Sequence, residues 1–246
     1  MIVAGFFVAC GNWFVERLRY PYSGHGSTRF VRAAFRQVAT KQFREANEGE
    51  AYSMALNSVC VFCGSTFGAR DAFKEAARQI GRLLAQRAMT LVYGGGDVGL
   101  MGVVADAAME HGGIVIGVIP KSLVDKELAH HGITKLYVVD SMHERKAKMA
   151  ELSDAFIALP GGFGTFEEFC EIVTWSQLGF HQKPCGILNV KGYFEPLLSL
   201  FDRGVTEQFI RPEHREIVIS AESPDELLEQ LTRYSPAKSI EKLDRQ

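Results

Sequence analysis

Short apolar runs that end in glycine turns constrain this chain more than any other feature. Val59, Cys60, Val61 and Phe62 lead into Cys63 and Gly64, and Leu91, Val92 and Tyr93 lead into Gly94, Gly95 and Gly96. Ala155, Phe156, Ile157, Ala158 and Leu159 lead into Pro160, Gly161, Gly162 and Gly164. Apolar runs of roughly four to eight residues bounded by glycine indicate strands buried on both faces. Helical patterns lie between them: Phe73, Ala77, Ile80 and Leu84, for example, share one face of a helix over 71–87.

The same reading predicts strands at 58–63, 90–93, 114–119, 136–139, 155–159, 186–190 and 217–220. Helices are predicted at 71–87, 100–111, 142–152, from Phe166 onward, 193–202 and 224–234. Strict alternation of the two implies an α/β fold, a doubly wound parallel sheet with helices on both faces. No internal repeat period appears. With 47% of its 246 residues apolar, the chain has ample material for a core, and residues 54–246 are read as one domain. Residues 1–53 are expected to lie outside that fold. Met54 stands just before the first strand, which favours an over-long gene start; the sharper alternative is organelle targeting through the basic stretch Arg29, Arg32, Arg36, Lys41 and Arg44. The apolar segment 2–10 is too short to span a bilayer.

A net charge of −2 gives no electrostatic footprint for polymeric nucleic acid or an anionic membrane, so the expected partners are small molecules or copies of the chain. Five cysteines, an odd number, point away from a disulfide framework and toward a reducing compartment, the cytoplasm by default. Cys60 and Cys63 form C-x-x-C inside a strand, where residues three apart point to opposite faces, so a redox pair is not expected. The seven histidines show no metal-ligand spacing, and no metal site is expected.

In doubly wound sheets, ligands bind beyond the carboxyl ends of the strands where strand order reverses. This rule gathers Gly64, Ser65 and Thr66, the loop 94–99 with Gly95 and Gly96, and the loop 161–165. None matches G-x-G-x-x-G with an acidic residue roughly 20 positions on, so a mononucleotide fits better than NAD and no cofactor is expected. Phe166, Phe169, Cys170 and Val173 follow helical spacing, and Thr165 suits the helix N-cap. Free backbone N–H groups at that helix start would face a phosphate. Thr165 and Glu168 also fit a T-x-x-E capping box with a purely structural role, although such a box does not require Gly161, Gly162 and Gly164.

A second cluster, Ser141, Met142, His143, Glu144, Arg145 and Lys146, opens another helix. Ser141 and Glu144 form an S-x-x-E capping box. Arg145 and Lys146 place two cations in a first turn where the helix dipole disfavours them, a local conflict of the kind that marks function.

Gly94, Gly95 and Gly96 followed by Gly99, Leu100, Met101 and Gly102, then Met142 to Lys146, then P-G-G-x-G-T-x-x-E, together resemble the LOG family. These are cytokinin riboside 5'-monophosphate phosphoribohydrolases, earlier labelled possible lysine decarboxylases. The resemblance spans about residues 58 to 234. It implies a Rossmann-like homodimer that hydrolyses the N-glycosidic bond of a nucleoside 5'-monophosphate, AMP or a cytokinin riboside 5'-monophosphate, to free base and ribose 5-phosphate. By motif position it puts the catalytic pair on Arg145 and Glu168. It puts substrate contacts on Glu127, Lys146, Gly162, Phe163, Gly164, Thr165, Phe166, Glu167 and Thr174, beside Gly64, Ser65, Gly95, Gly96 and Gly161 of the crevice loops. Asp97 departs from the family pattern, which has a small hydroxyl residue there; a carboxylate beside a phosphate repels unless it is turned away or paired.

The residues support the same chemistry. Breaking a base–ribose bond leaves an oxocarbenium-like sugar. A carboxylate beneath C1' stabilises that charge and orients or deprotonates water, the role read for Glu168. Arg145 stays protonated and cannot be a general acid; its expected work is to hold Glu168 ionised and to fix ribose or phosphate oxygens. Two other classes compete: a nucleotide- or cofactor-carrying module without hydrolysis, and pyridoxal-dependent decarboxylation, which needs a Schiff-base lysine.

Overall fold

The computed structural model describes residues 56–124 and 128–236. The expectations for residues 1–53 and for Glu127 fall outside the described residues. In chain order the elements are β1 (Ser58–Phe62), α1 (Asp71–Gln86), β2 (Thr90–Tyr93), α2 (Gly99–Glu110), β3 (Val115–Pro120), α3 (Lys121–Val124), β4 (Lys135–Val139) and α4 (Met142–Glu151). There follow β5 (Ala155–Ala158), α5 (Phe163–Gln177), β6 (Cys185–Leu188), a 3-10 turn (Val190–Gly192), α6 (Glu195–Thr206), α7 (Pro212–Arg215), β7 (Val218–Ala221) and α8 (Pro224–Thr232).

The strands form one seven-stranded sheet in the order β4-β3-β2-β1-β5-β6-β7, every pair parallel. This is the doubly wound α/β sheet, Rossmann-like, that the alternation predicts. Alternate residues of each strand feed two cores. Val59, Val61, Leu91, Tyr93 and Ile157 pack with apolar residues of α1, α2 and α8, whereas Cys60, Phe62, Val92, Phe156 and Ala158 pack with those of α4, α5 and α6. Cys60 and Cys63 therefore belong to opposite cores, and both are free thiols pushed well above their usual pKa by burial.

The winding reverses between β1 and β5, which are neighbours in register from Val59 opposite Ala155 to Phe62 opposite Ala158. Beyond their ends the loops are tied together. The Gly64 N–H donates to the Pro160 carbonyl at 3.1 Å, and the Leu100 N–H donates to the Gly64 carbonyl at 3.0 Å. The three glycine turns thus meet at the switch point. The one-turn helices α3 and α7 are too short for periodicity to register, and α6 starts at Glu195, with Phe194 as its N-cap, because Tyr193 still closes the 3-10 turn onto the Val190 carbonyl.

Candidate functional site

The helix following the P-G-G turn starts earlier than its sequence suggests. Gly162 is the N-cap, extended at φ −99° and ψ −154°, with no side-chain cap, and α5 begins at Phe163. Thr165 is therefore not the N-cap. It lies in the first turn, buried, with its hydroxyl lodged where a Cβ on Gly161 would stand, so its place is under the glycine turn. The glycines allow this, because the chain can enter the helix three residues sooner without a polar cap. The T-x-x-E capping box is likewise not formed, and the Glu168 carboxylate is left for another partner.

That partner is Arg145. Its Nη1 donates to Glu168 Oε1 at 2.8 Å, and the two side chains are only 9% and 10% exposed. Arg145 Nε donates to the Val118 carbonyl at 3.0 Å and Nη2 to the Gly94 carbonyl at 3.4 Å, so the guanidinium bridges the ends of β2 and β3 to α5. Gly94 is required for this arrangement: a Cβ there would collide with Arg145 Nη2. Among the described residues no donor reaches Glu168 Oε2. Burial pushes the Glu168 carboxyl above the usual glutamate pKa, and the opposing pull of Arg145 offsets this only in part.

Lys146 extends the contact. Its Nζ bonds Glu167 Oε1 and lies 2.9 Å from Glu171 Oε2. Burial lowers the ammonium's pKa, but the two carboxylates more than compensate and the net displacement is upward. Two adjacent cations of α4 therefore face three carboxylates of α5. The unfavourable dipole position of Arg145 and Lys146 is compensated across the helix pair, not within α4, where only the Ser141 half of the predicted box forms and the Glu144 carboxylate reaches the N–H of Asp140 in place of that of Ser141. Ser141 Oγ accepts from the Glu144 N–H at 3.1 Å, and Glu144 accepts from the Asp140 N–H at 3.1 Å.

Around this pair the predicted residues separate into groups. Gly64 and Gly161 approach within van der Waals contact, while Ser65 is exposed at the same mouth. Gly95 and Gly96 are buried in the turn after β2; the chain after the undescribed residues returns there, His130 N–H donating to the Gly95 carbonyl at 2.9 Å. Gly162 and Gly164 have open space where a side chain would be, and Phe163 between them is 92% exposed. Phe166 instead packs inward on Tyr193 and Phe194. Thr174 is exposed, its hydroxyl bonded to the Cys170 carbonyl at 2.7 Å; about 16 Å along α5 from Phe163, it is not brought to the glycine turn. Asp97 is exposed. Two residues beside the pair carry no motif signal: Glu171, a turn beyond Glu168, and Tyr193, which reaches the turn from beyond β6. The alignment of Glu171 with Glu167 and Glu168 on one helix face was the only available clue.

Comparisons with known proteins show the family and the fold. Residues 101–231 match the family described as "Possible lysine decarboxylase". The chain is 52% identical over 177 residues to the "Probable cytokinin riboside 5'-monophosphate phosphoribohydrolase LOGL1" of Oryza sativa subsp. japonica, covering 72% of this chain and 79% of the relative. It is 51% identical over 178 residues to the "Cytokinin riboside 5'-monophosphate phosphoribohydrolase LOG3" of Arabidopsis thaliana, covering 72% and 83%. Among solved structures, the molybdenum cofactor binding protein from Rippkaea orientalis superposes with a TM-score of 0.54 at 23% identity, covering 72% of this chain and 95% of that one. The Moco Carrier Protein from Chlamydomonas reinhardtii gives 0.55 at 20%, covering 72% and 98%. At those identities the likeness is one of fold.

Proposed function

Because the chain belongs to the LOG family, whose "Possible lysine decarboxylase" description it matches over 101–231, we infer that it is an N-glycosidic hydrolase of the phosphoribohydrolase type. It acts on a cytokinin riboside 5'-monophosphate and releases the free base and ribose 5-phosphate. The observation that carries the reading is the buried Arg145–Glu168 pair at the β1/β5 switch point, with one glutamate oxygen unengaged by the described residues.

In this reading the glycine turns and the start of α5 hold the 5'-phosphate through backbone N–H groups. As the bond from C1' to the base breaks, positive charge develops on the ribose, and the Glu168 carboxylate stabilises it. The same carboxylate orients water for attack on C1', and the proton released ends on the departing base. Arg145 keeps Glu168 in place and contributes no proton. Phe163, exposed beside the turn, offers a flat apolar face to the sugar or base.

AMP shares the ribose 5-phosphate portion and is read as a second substrate. A homodimer follows from the family resemblance. The free thiols of Cys60, Cys63, Cys170 and Cys185 favour a reducing compartment such as the cytoplasm, and no helix among the described residues is long and apolar enough to cross a membrane. The decarboxylase label finds no support in Lys146: a Schiff base needs a neutral amine, and this ammonium is held by two carboxylates with its pKa raised. Nor does the likeness to molybdenum cofactor carriers favour the carrier alternative, being one of fold.

The test is direct. Purified protein is incubated with isopentenyladenosine 5'-monophosphate and with AMP, and free base is measured by chromatography. Release of neither base at high enzyme concentration would sink the hydrolase reading.

A further inference from the structure

Tyr193 lies outside every motif that identifies the site, yet its hydroxyl donates to the carbonyl of Gly161, the first glycine of the P-G-G turn. The contact is built, not incidental. Tyr193 follows a tight reversal in which Lys191 (φ 54°) and Gly192 (φ 71°) are both left-handed, and its own N–H donates to the Val190 carbonyl at 3.1 Å. Buried Asn189 braces the reversal, accepting from the Phe194 N–H at 2.8 Å and donating to Glu195 at 3.0 Å. The ring is held edge-on by Phe73 of α1 at 5.5 Å and by Phe194 at 5.1 Å, and stacks on Phe166 of α5 at 6.5 Å between centroids. Although Tyr193 is 37% exposed, these three ring contacts favour the orientation in which its hydroxyl meets the Gly161 carbonyl.

Because a trans peptide is planar, with C=O and N–H pointing in opposite directions, fixing the Gly161 carbonyl toward Tyr193 also fixes the Gly162 N–H away from it. Gly162 is the N-cap of α5, and among the described residues its N–H has no acceptor. Space is open where a side chain on Gly162 would stand. A glycine-rich turn is otherwise the part of a chain most able to rotate its peptide planes.

We propose that Tyr193 is a positioning residue that locks the Gly161–Gly162 peptide so that the Gly162 N–H is presented to the phosphate of the ligand. This rests on the nucleoside monophosphate reading above. It assigns to Tyr193 a role in binding the anionic group, with none in bond breaking.

The experiment compares the full-length parent with Tyr193→Phe, which keeps the ring and its three aromatic contacts and removes only the hydroxyl. Kd is measured calorimetrically for ribose 5-phosphate, for AMP with Glu168→Gln added to both proteins so that it is not hydrolysed, and for adenosine as the phosphate-free control; KM and kcat are measured with the nucleotide on the otherwise unaltered proteins. The expected result is about a five- to tenfold weaker Kd for both phosphorylated ligands, unchanged adenosine binding, a matching rise in KM and a kcat within about twofold. Equal weakening toward adenosine, or no weakening at all, overturns the proposal, and so does a parent that binds no phosphorylated ligand. A parent that binds ribose 5-phosphate but hydrolyses nothing refutes the hydrolase reading alone, and the Kd comparison still decides the role of Tyr193.

Discussion

Arg145 Nη1 and Glu168 Oε1 meet at 2.8 Å with both side chains about one-tenth exposed, and the contact joins α4 to the helix that the P-G-G turn initiates. A pair so buried contributes little net stability, because desolvation cancels most of the attraction, yet leaving one member unpaired is costly. Glu168→Gln separates catalysis from folding, since the amide oxygen still accepts from Arg145. Turnover is expected to fall roughly a hundred- to ten-thousandfold while the melting temperature changes by only a few degrees. Base release and a thermal melt check both; a variant that unfolds while any folded fraction keeps full activity refutes the catalytic role.

The glycine turn after β2 is predicted to be indispensable through the space it leaves. In Gly94→Ala the new methyl would collide with Arg145 Nη2, so the guanidinium must shift, at the expense of its bonds to Val118 and Glu168. Overpacking of this kind costs about 1–3 kcal/mol. Activity should fall far more than stability, because the pair is displaced. Equal kcat in parent and Gly94→Ala would contradict the assigned placement.

Burial, only partly opposed by Arg145, raises the Glu168 pKa, and this has a kinetic consequence. In the proposed mechanism the working form is the carboxylate, so protonation removes activity as pH falls. A pKa displaced upward moves that loss to higher pH than an ordinary glutamate would show. The acid limb of kcat/KM, which reports the free enzyme, should therefore bend above the usual glutamate range. A limb at or below that range would mean either that Glu168 is better solvated than the structure shows or that another group controls the rate.

What the sequence disclosed of this site depended on how local each feature is. The strands were readable because parallel strands buried on both faces become uninterrupted apolar runs such as Ala155 to Leu159, and their glycine turns mark the loops that meet where strand order reverses. The start of α5 was misjudged: Thr165 satisfies the usual N-cap preference, but Gly162 admits the helix earlier and Thr165 is needed beneath Gly161. The conflict of Arg145 and Lys146 with the dipole of α4 was visible, whereas their partners on α5 are contacts across about 20 residues that no local pattern encodes. Tyr193 was illegible for the same reason. Its neighbours Phe73 and Phe166 come from two other elements, so only the fold reveals the aromatic cradle.

The segment after α5 supplies a stability prediction independent of the reaction. His181 Nε2 donates to the Ile172 carbonyl at 3.0 Å, and Nδ1 accepts from the Lys183 N–H at 3.1 Å, which fixes one neutral tautomer. Burial, with a smaller contribution from the Lys183 charge, holds its pKa below the ordinary value of 6.5. The unfolded chain therefore takes up a proton near pH 6.5 that the folded chain still refuses. Stability from His181 is fully present above pH 6.5 and is lost progressively as pH falls from there through the depressed folded value. His214, also depressed by burial, titrates in the same window, so the informative comparison is between parent and His181→Gln. Urea midpoints measured from pH 7.5 down to 5 should fall more steeply for the parent than for the variant. Parallel curves would show that His181 is protonated in the folded protein without cost, and that its two hydrogen bonds do not hold it neutral.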